Sequence, residues 1–206
     1  LFRPDGPRGE IEGRYMIFVG GLVAWHGIGT MLAALSEPAW PDDVRLVVVG
    51  DGIERSKLEA EANNPRLLWL GRRPYDEVPA LLRGALASLC VIEDQDGRSA
   101  SGVAPLKLFE AMACGVPVIA SDLPFQAQIV HDNDAGMIVP SGSPSAIASA
   151  VAELIAAPER TRALGRNGAD YVAREASWHQ RGRQVDGILR SVVPKKADGA
   201  CPLADR

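Results

Sequence analysis

The sequence of 206 residues predicts an α/β fold, with a doubly wound, Rossmann-like parallel sheet of six strands and helices on both faces. Short apolar runs of strand length alternate with segments whose apolar residues recur at helical spacing. This alternation is typical of βαβ units, which join parallel strands through right-handed crossovers. Hydrophobic residues make up 47% of the chain, which is enough for a sizeable core.

The predicted strands are apolar runs, most of them bounded by glycine, proline or asparagine. They cover residues 15–20, 44–49, 66–70, 87–92, 118–121 and 136–139. Most of the predicted helices carry apolar side chains every three or four residues. Besides the helix that begins at residue 105, they cover residues 27–35, 53–62, 75–82, 125–130, 144–156, 159–176 and 178–192.

The stretch PLKLFEAMACGVPVIASD, residues 105–122, predicts a helix that leads into the fifth strand after only two or three residues. Pro105 suits the first helical turn, and Gly115 is a natural helix stop. Lys107 and Glu110 are polar residues three apart on this helix, so they are close enough to share a face.

Three segments lack regular patterning. Residues 1–13 are a polar, Pro/Gly-rich linker remnant. Residues 93–104 form a loop of a length that is usually functional or mobile, and residues 195–206 are expected to be a disordered tail. The folded domain is therefore expected at residues 14–194.

Six strands that alternate with helices indicate the sheet order 3-2-1-4-5-6, in which the first and fourth strands are neighbours. Sheets of this kind bind ligands in the crevice at the carboxyl ends of those two strands. The loops at residues 20–27 and 93–104 are therefore expected to meet there, where the helix from Pro105 begins.

The start of that helix predicts a phosphate or carboxylate as the ligand, because it offers unpaired N–H groups and the positive end of the helix dipole. Pro105 has no N–H group, so the candidate donors are the backbone N–H groups of Leu106, Lys107 and Leu108.

The other candidates are Gly20, Gly21, His26 and Glu110. The glycine pair lets a bulky anion approach the backbone. His26 adds a donor, and a positive charge if a phosphate raises its pKa. Glu110 suits a pair of ligand hydroxyls, because a carboxylate accepts several hydrogen bonds. A nucleotide diphosphate on the helix start and a ribose on Glu110 satisfy both ends of this arrangement.

Each of these residues also has a purely structural explanation. Gly20 and Gly21 can form a tight β-α turn, since the chain has no G-x-G-x-x-G fingerprint. His26 can be a surface histidine. Lys107 and Glu110 can be an exposed and weakly stabilising ion pair.

The composition excludes several classes of partner. The 22 basic and 26 acidic residues give a net charge of −4, so no overall field attracts nucleic acid or anionic lipid. The longest apolar runs have strand length, so no transmembrane segment is expected. Cys90, Cys114 and Cys201 have neither metal-ligand nor redox spacing, which indicates a reducing cytoplasm and no metal site.

One family carries similar blocks in the same order and spacing. The carboxy-terminal domain of the group 1 retaining glycosyltransferases of GT-B fold resembles this chain at LFRP, FVGGLVAWHGIGTMLAAL, RLVVVGDG, LLWLGRRPYDEVPALLRGA, PLKLFEAMACGVPVIASD and AGMIVPSGSPSAIASAV. The resemblance runs over residues 1–192 and is most specific at residues 109–122.

The resemblance implies that the domain binds a nucleotide-sugar donor without a divalent metal or another cofactor. It also implies a cleft against an amino-terminal domain that binds the acceptor, and this acceptor domain is missing from the chain. Glu110 matches the glutamate that hydrogen-bonds the donor ribose. Leu106 and Lys107 match the residues whose N–H groups hold the diphosphate. Arg72 and Arg73 lie in the loop whose main-chain groups often contact the nucleotide base in this family.

The chain departs from the family at a glutamate that contacts the transferred sugar. That residue often stands eight positions before Glu110, where this chain has Gly102. Candidates to replace its carboxylate are Glu93, Asp94 and Asp96 in the long loop.

A second departure lies in the phosphate clamp. The usual G-R-L and K-G sequences are replaced by Gly20-Gly21-Leu22 and His26-Gly27. This resembles the branch of the family with a W-H-G form of the loop, in which histidine stands for lysine.

We interpret the chain as the donor-binding domain of a metal-independent, retaining hexosyltransferase, and we assign no catalytic residue. The enzyme is expected in the cytoplasm, with any membrane contact made by the missing domain. Alone it is expected to bind donor without turnover, because acceptor orientation supplies much of the rate. A structural or interaction module that has lost donor binding remains open, favoured by Gly21, His26 and Gly102. Sugar-nucleotide epimerisation or phosphorolysis on the same fold is the third alternative.

Overall fold

The computed structural model describes residues 1–94, 97 and 102–192, and within them it contains one sheet of six parallel strands. The sheet order is β3-β2-β1-β4-β5-β6, which confirms the predicted fold class and strand order. The strands are β1 (Arg14–Val19), β2 (Val44–Val49), β3 (Leu67–Gly71), β4 (Ala87–Cys90), β5 (Val118–Ser121) and β6 (Gly136–Val139).

Helices follow the strands and finish the described chain. They are α1 (Ile28–Ala34), α2 (Arg55–Ala60), α3 (Val78–Gly84), α4 (Leu106–Ala113), α5 (Gln126–Asp132), α6 (Pro144–Ala156), α7 (Pro158–Tyr171) and α8 (Trp178–Val192). A 3₁₀ turn, Ala24–His26, precedes α1, and a π-helical turn, Val172–Ala176, follows α7.

Several predicted helices differ from those observed by one to three residues at an end, and two of them differ more in extent. The helix expected at residues 53–62 is shortened to α2, whose buried residue is Leu58, so little packing stabilises further turns. The helix expected at 159–176 is regular only to Tyr171. The chain then becomes extended at Ser177, which accepts a hydrogen bond from the Gln180 N–H group at the start of α8.

Hydrophobic cores lie on both faces of the sheet. Along β1, Met16 and Phe18 point to one core, which α1 and α6 cover, while Tyr15 and Ile17 point to the other, which α3 and α4 cover. Because successive strand residues face opposite sides, a strand buried on both faces must be apolar throughout. This explains why the strands appear as unbroken apolar runs in the sequence.

The first 13 residues lie against α3 and contain no helix or strand. The Gly9 N–H group donates to the carbonyl of Ala80 at 2.7 Å, and the Arg83 guanidinium donates to the carbonyl of Pro7 at 2.8 Å. The expected tail at 195–206, including Cys201, lies outside the described residues.

The switch point of the sheet is held together by backbone and side-chain hydrogen bonds. The Glu93 N–H group donates to the Trp25 carbonyl at 3.0 Å, and the Thr30 hydroxyl donates to the Glu93 carboxylate. The loops after β1 and β4 therefore meet, as predicted. No helix in the described part of the chain is both long and apolar enough to cross a bilayer.

Candidate functional site

The glycine pair after β1 forms one wall of the crevice. The Gly20 N–H group donates to the Val49 carbonyl at 2.9 Å, so the turn is tied to β2. A Cβ atom on Gly20 would lie 3.7 Å from the Lys107 ammonium nitrogen, whereas one on Gly21 would meet nothing within 4 Å. The pair thus forms a tight turn, and it also leaves the backbone at Gly21 open to an incoming ligand.

Lys107 lies in the first turn of α4 and points beneath this loop. The residue is only 8% exposed, and its Nζ atom has no hydrogen-bond partner among the described residues. The nitrogen lies 4.3 Å from the centroid of the Phe18 ring, a cation–π contact that offsets part of the desolvation. Burial lowers the pKa of the Lys107 ammonium to about 8, against a small opposing effect of Cys90.

This position corrects one expectation about α4. Lys107 does not pair with Glu110, because the two side chains leave the helix toward different neighbours. Leu106, the first residue of the helix, is 61% exposed. The buried face of α4 consists of Lys107, Leu108, Ala111 and Met112.

The amino end of α4 lacks a side-chain cap. Pro105 precedes the helix and has no N–H group, and the Leu108 N–H group donates to the Pro105 carbonyl at 3.0 Å. Of the three donors expected from the sequence, the N–H groups of Leu106 and Lys107 therefore remain without an acceptor among the described residues. They add partial positive charge next to the Lys107 ammonium.

His26 faces the same loop from the 3₁₀ turn. Its Nδ1 atom lies 2.7 Å from the Gly21 carbonyl oxygen. Since a carbonyl only accepts, Nδ1 carries a proton, and Nε2 of the neutral ring has a lone pair. Burial lowers the pKa of His26, the nearby Lys107 charge lowers it further, and the hydrogen bond to Gly21 opposes both. His26 is half-buried and bonded, and not simply a solvated surface residue.

Glu110 lies on the half-buried side of α4 and accepts a hydrogen bond of 2.7 Å from the Tyr75 hydroxyl. That bond, followed by burial and the Glu110 charge, raises the pKa of Tyr75 to about 12. The Tyr75 ring also contacts Phe2, with 5.1 Å between the centroids. Sequence reasoning missed Tyr75, although a tyrosine in the loop after the third strand was a visible signal.

Arg72 and Arg73 follow β3 directly, and both are exposed. They lie on the carboxyl edge of the sheet, as the crevice requires. In the sheet, β2 lies between β3 and β1. The loop after β3 reaches α4 through the hydrogen bond from Tyr75 to Glu110.

Gly102 has no room for a larger residue. Its φ angle is +92°, a conformation that side chains disfavour, and a Cβ atom there would lie 2.7 Å from Cδ2 of Phe125. Phe125, itself at φ +71° and 60% exposed, occupies the space beside Gly102. The Glu93 carboxylate is engaged by Thr30, and Asp96 lies outside the described residues.

These features define a class of domain. An open parallel sheet whose switch point is lined by an uncapped helix start, a glycine loop and a lysine is the arrangement of a Rossmann-like nucleotide-binding domain. The chain belongs to the family described as Glycosyl transferases group 1, which matches residues 8–171.

One curated enzyme and one solved structure are similar to this chain, the structure in fold. A GDP-mannose-dependent alpha-(1-6)-phosphatidylinositol monomannoside mannosyltransferase of Mycobacterium tuberculosis is 30% identical over 204 residues, which cover 92% of this chain and 52% of that enzyme. The Anabaena protein Alr3699/HepE, crystallised with UDP, has a TM-score of 0.77 at 18% identity, over 87% of this chain and 49% of its own.

A third relative has a similar extent to this chain. The C-terminal domain of a glycosyl transferase group 1 family protein (LpcC) from Francisella tularensis has a TM-score of 0.66 at 22% identity, over 86% of this chain and 96% of that domain. The chain spans about half the length of the curated relatives that it matches.

Replacing Lys107 by methionine is expected to stabilise the protein without ligand. The folded-state pKa of about 8 lies below the ordinary value, so the fold disfavours the charged form. This penalty, on the order of 3 kcal/mol, is fully present below pH ~8 and disappears as the pH rises toward ~10.4. Urea unfolding of Lys107→Met and wild type should therefore differ most near neutral pH.

The matched control is Arg174→Met, which removes one exposed positive charge from the π-helical turn. It should change the free energy of unfolding by less than about 0.5 kcal/mol. A Lys107→Met protein that is no more stable than wild type at neutral pH would mean that the ammonium is compensated.

Proposed function

We propose that this chain is the nucleotide-sugar-binding domain of a retaining glycosyltransferase. The observation that carries the proposal is the buried Lys107 ammonium. Among the described residues it has no hydrogen-bond partner, and it lies under a glycine loop beside two uncapped N–H groups. A buried cation of this kind is destabilising unless an anion joins it. Membership of the group 1 family makes a donor diphosphate the ligand that fits best.

In this proposal the diphosphate lies between Gly21 and the amino end of α4. The N–H groups of Leu106 and Lys107 donate to its oxygens, and the Lys107 ammonium supplies a full positive charge. His26 donates from Nε2 once that atom is protonated, which the approaching phosphate favours. Gly20 has no side chain to separate the loop from the ammonium.

The nucleoside lies on the other side of α4. Tyr75 holds one oxygen of Glu110, which leaves the second oxygen to accept from a ribose hydroxyl. The base then lies toward the loop after β3, near Arg72. The opposite ends of the site are therefore chemically distinct, with cations for the diphosphate and a carboxylate for the ribose.

Catalysis in this scheme depends on stabilising the departing nucleoside diphosphate. The Lys107 ammonium, the start of α4 and protonated His26 supply that charge, with no divalent metal or other cofactor proposed. The sugar is a hexose, its anomeric configuration is retained, and the acceptor is held by a second, amino-terminal domain outside this sequence. The chain alone binds donor without turnover. We place the enzyme in the cytoplasm, with any membrane contact made by the other domain.

A structural or interaction module is the second candidate function. The observation that favours it is Phe125, which fills the position where the family often has a glutamate that contacts the sugar. If donor binding has been lost, saturating nucleotides should leave the thermal midpoint unchanged, because only a ligand of the native state raises it.

Calorimetric titration with UDP-glucose, GDP-mannose and ADP-glucose tests the main proposal. At least one donor should bind. Lys107→Met and Glu110→Gln should each weaken that binding by about 1–3 kcal/mol, because each removes a charge-assisted hydrogen bond. The controls Arg174→Met and Glu153→Gln alter exposed charges outside the crevice and should leave the affinity unchanged. If a folded protein binds none of the three donors, the proposal is wrong.

Donor binding should also be linked to the protonation of His26. The pKa of His26 is lowered in the free protein and should rise when a diphosphate binds, so binding takes up a proton. The affinity for a nucleotide sugar, whose own charge is constant in this range, should increase as the pH falls from about 7 to about 5.5, a range in which Lys107 is already mostly charged. His26→Asn keeps a donor for the Gly21 carbonyl but cannot titrate, and it should abolish this pH dependence. If the affinity of that variant still depends on pH as in wild type, His26 does not contact the diphosphate.

A further inference from the structure

A second cavity lies at the amino ends of the strands, on the edge of the sheet opposite the donor crevice. Its volume is about 620 Å³, a typical size for a small-molecule site. Leu86 and Pro117, which precede β4 and β5, form part of its floor. Residues of the segment 1–13 form one wall and residues of α7 form the other.

Arginine dominates the charged residues of this cavity. They come from the first segment, β1, α3 and α7: Arg8, Arg14, Arg83, Arg162 and Arg166. One carboxylate, Asp170, also lines it. The whole chain has a formal net charge of −4, so this cluster is a local positive region on an acidic protein.

Two of these arginines have carboxylate partners. Arg14 pairs with Asp43, and Arg162 pairs with Glu159. All four side chains are at least 45% exposed, so both pairs are weak and leave the guanidinium groups available to a ligand.

Arg83 is held in place by neutral groups. Its guanidinium donates to the carbonyls of Pro7, at 2.8 Å, and Arg3, at 3.2 Å. A Cβ atom on Gly6 would lie 2.9 Å from this guanidinium, so glycine permits the close contact. Carbonyl groups orient the side chain without cancelling its charge. Within the described residues, no carboxylate lies within 4.0 Å of the guanidinium nitrogens of Arg8, Arg83 or Arg166.

We propose that this cavity is a second binding site, specific for a ligand with two or more phosphate groups. Guanidinium groups bind phosphate through paired, planar hydrogen bonds, which lysine cannot reproduce. Three uncompensated guanidinium groups on different elements require more than one phosphate to neutralise them. A concave site of this size suits a phosphorylated small molecule or one lipid headgroup. The site is independent of the proposed donor crevice, because the length of the sheet separates them.

Titration with inorganic tripolyphosphate tests the proposal. Measuring on a Lys107→Met background weakens the contribution of the donor crevice, and the arginine variants at the other edge of the sheet then report on the second site. Arg8→Ala and Arg166→Ala, both at exposed positions, should each raise the Kd about tenfold or more. The matched control is Arg160→Ala, on the same helix as Arg166, whose guanidinium pairs with Glu153 and does not line the cavity. It should change the Kd by less than about twofold.

A second arm separates the two sources of phosphate. Co-sedimentation with phosphatidylcholine vesicles that contain a phosphatidylinositol phosphate reports headgroup binding. Tripolyphosphate binding that Arg8→Ala and Arg166→Ala weaken supports a free phosphorylated ligand. Vesicle binding that the same two substitutions weaken supports a lipid headgroup. The proposal is overturned if neither probe binds, or if Arg160→Ala weakens binding as much as Arg8→Ala and Arg166→Ala do.

Discussion

The buried ammonium of Lys107 is the constraint on which the candidate site depends. This cation is almost fully removed from water and makes no hydrogen bond within the part of the chain that the structure describes, so it destabilises the fold. The Phe18 ring compensates only partly. Glycine suits position 20 because its φ angle is +155° and a Cβ atom there would lie 3.3 Å from the Phe18 ring. The two cores on either side of the sheet must supply the stability that this residue removes.

Positive groups at the switch point also affect one another. Lys107 lowers the pKa of His26, and burial lowers the pKa of both residues. An anion between them relieves both desolvation and repulsion, so the groups that destabilise the fold also favour a diphosphate. Glu110 is kept apart from these cations by its hydrogen bond to Tyr75, which preserves an acceptor for the nucleoside.

The sequence alone predicted the fold class, the strand order and the position of most helices and strands. Strands β2, β5 and β6 and helices α6 and α8 were predicted with their observed bounds, because apolar runs, glycines and prolines mark their ends. The strand order followed from the doubly wound arrangement that is typical of six alternating strands and helices. The predicted meeting of the loops after β1 and β4 followed from that order, and so did the position of α4 beside them.

Contacts within the site were harder to predict. Residue spacing showed that Lys107 and Glu110 could share a face of α4, but it could not show that Lys107 faces the sheet while Glu110 faces Tyr75. The contacts of Glu110 with Tyr75 and of Lys107 with Phe18 join residues far apart in the chain, so they leave no local sequence pattern. The contact between Gly102 and Phe125 was missed for the same reason.

The central claim is that the donor diphosphate neutralises the Lys107 ammonium. NMR titration of protein labelled with ¹³C at lysine Cε measures this directly, with the Lys107 signal assigned by its loss in Lys107→Met. The account predicts a titration midpoint near 8 in the free protein and a midpoint higher by about one unit or more with saturating nucleotide sugar. An ordinary lysine midpoint in the free protein, or the same midpoint with and without bound donor, would contradict it.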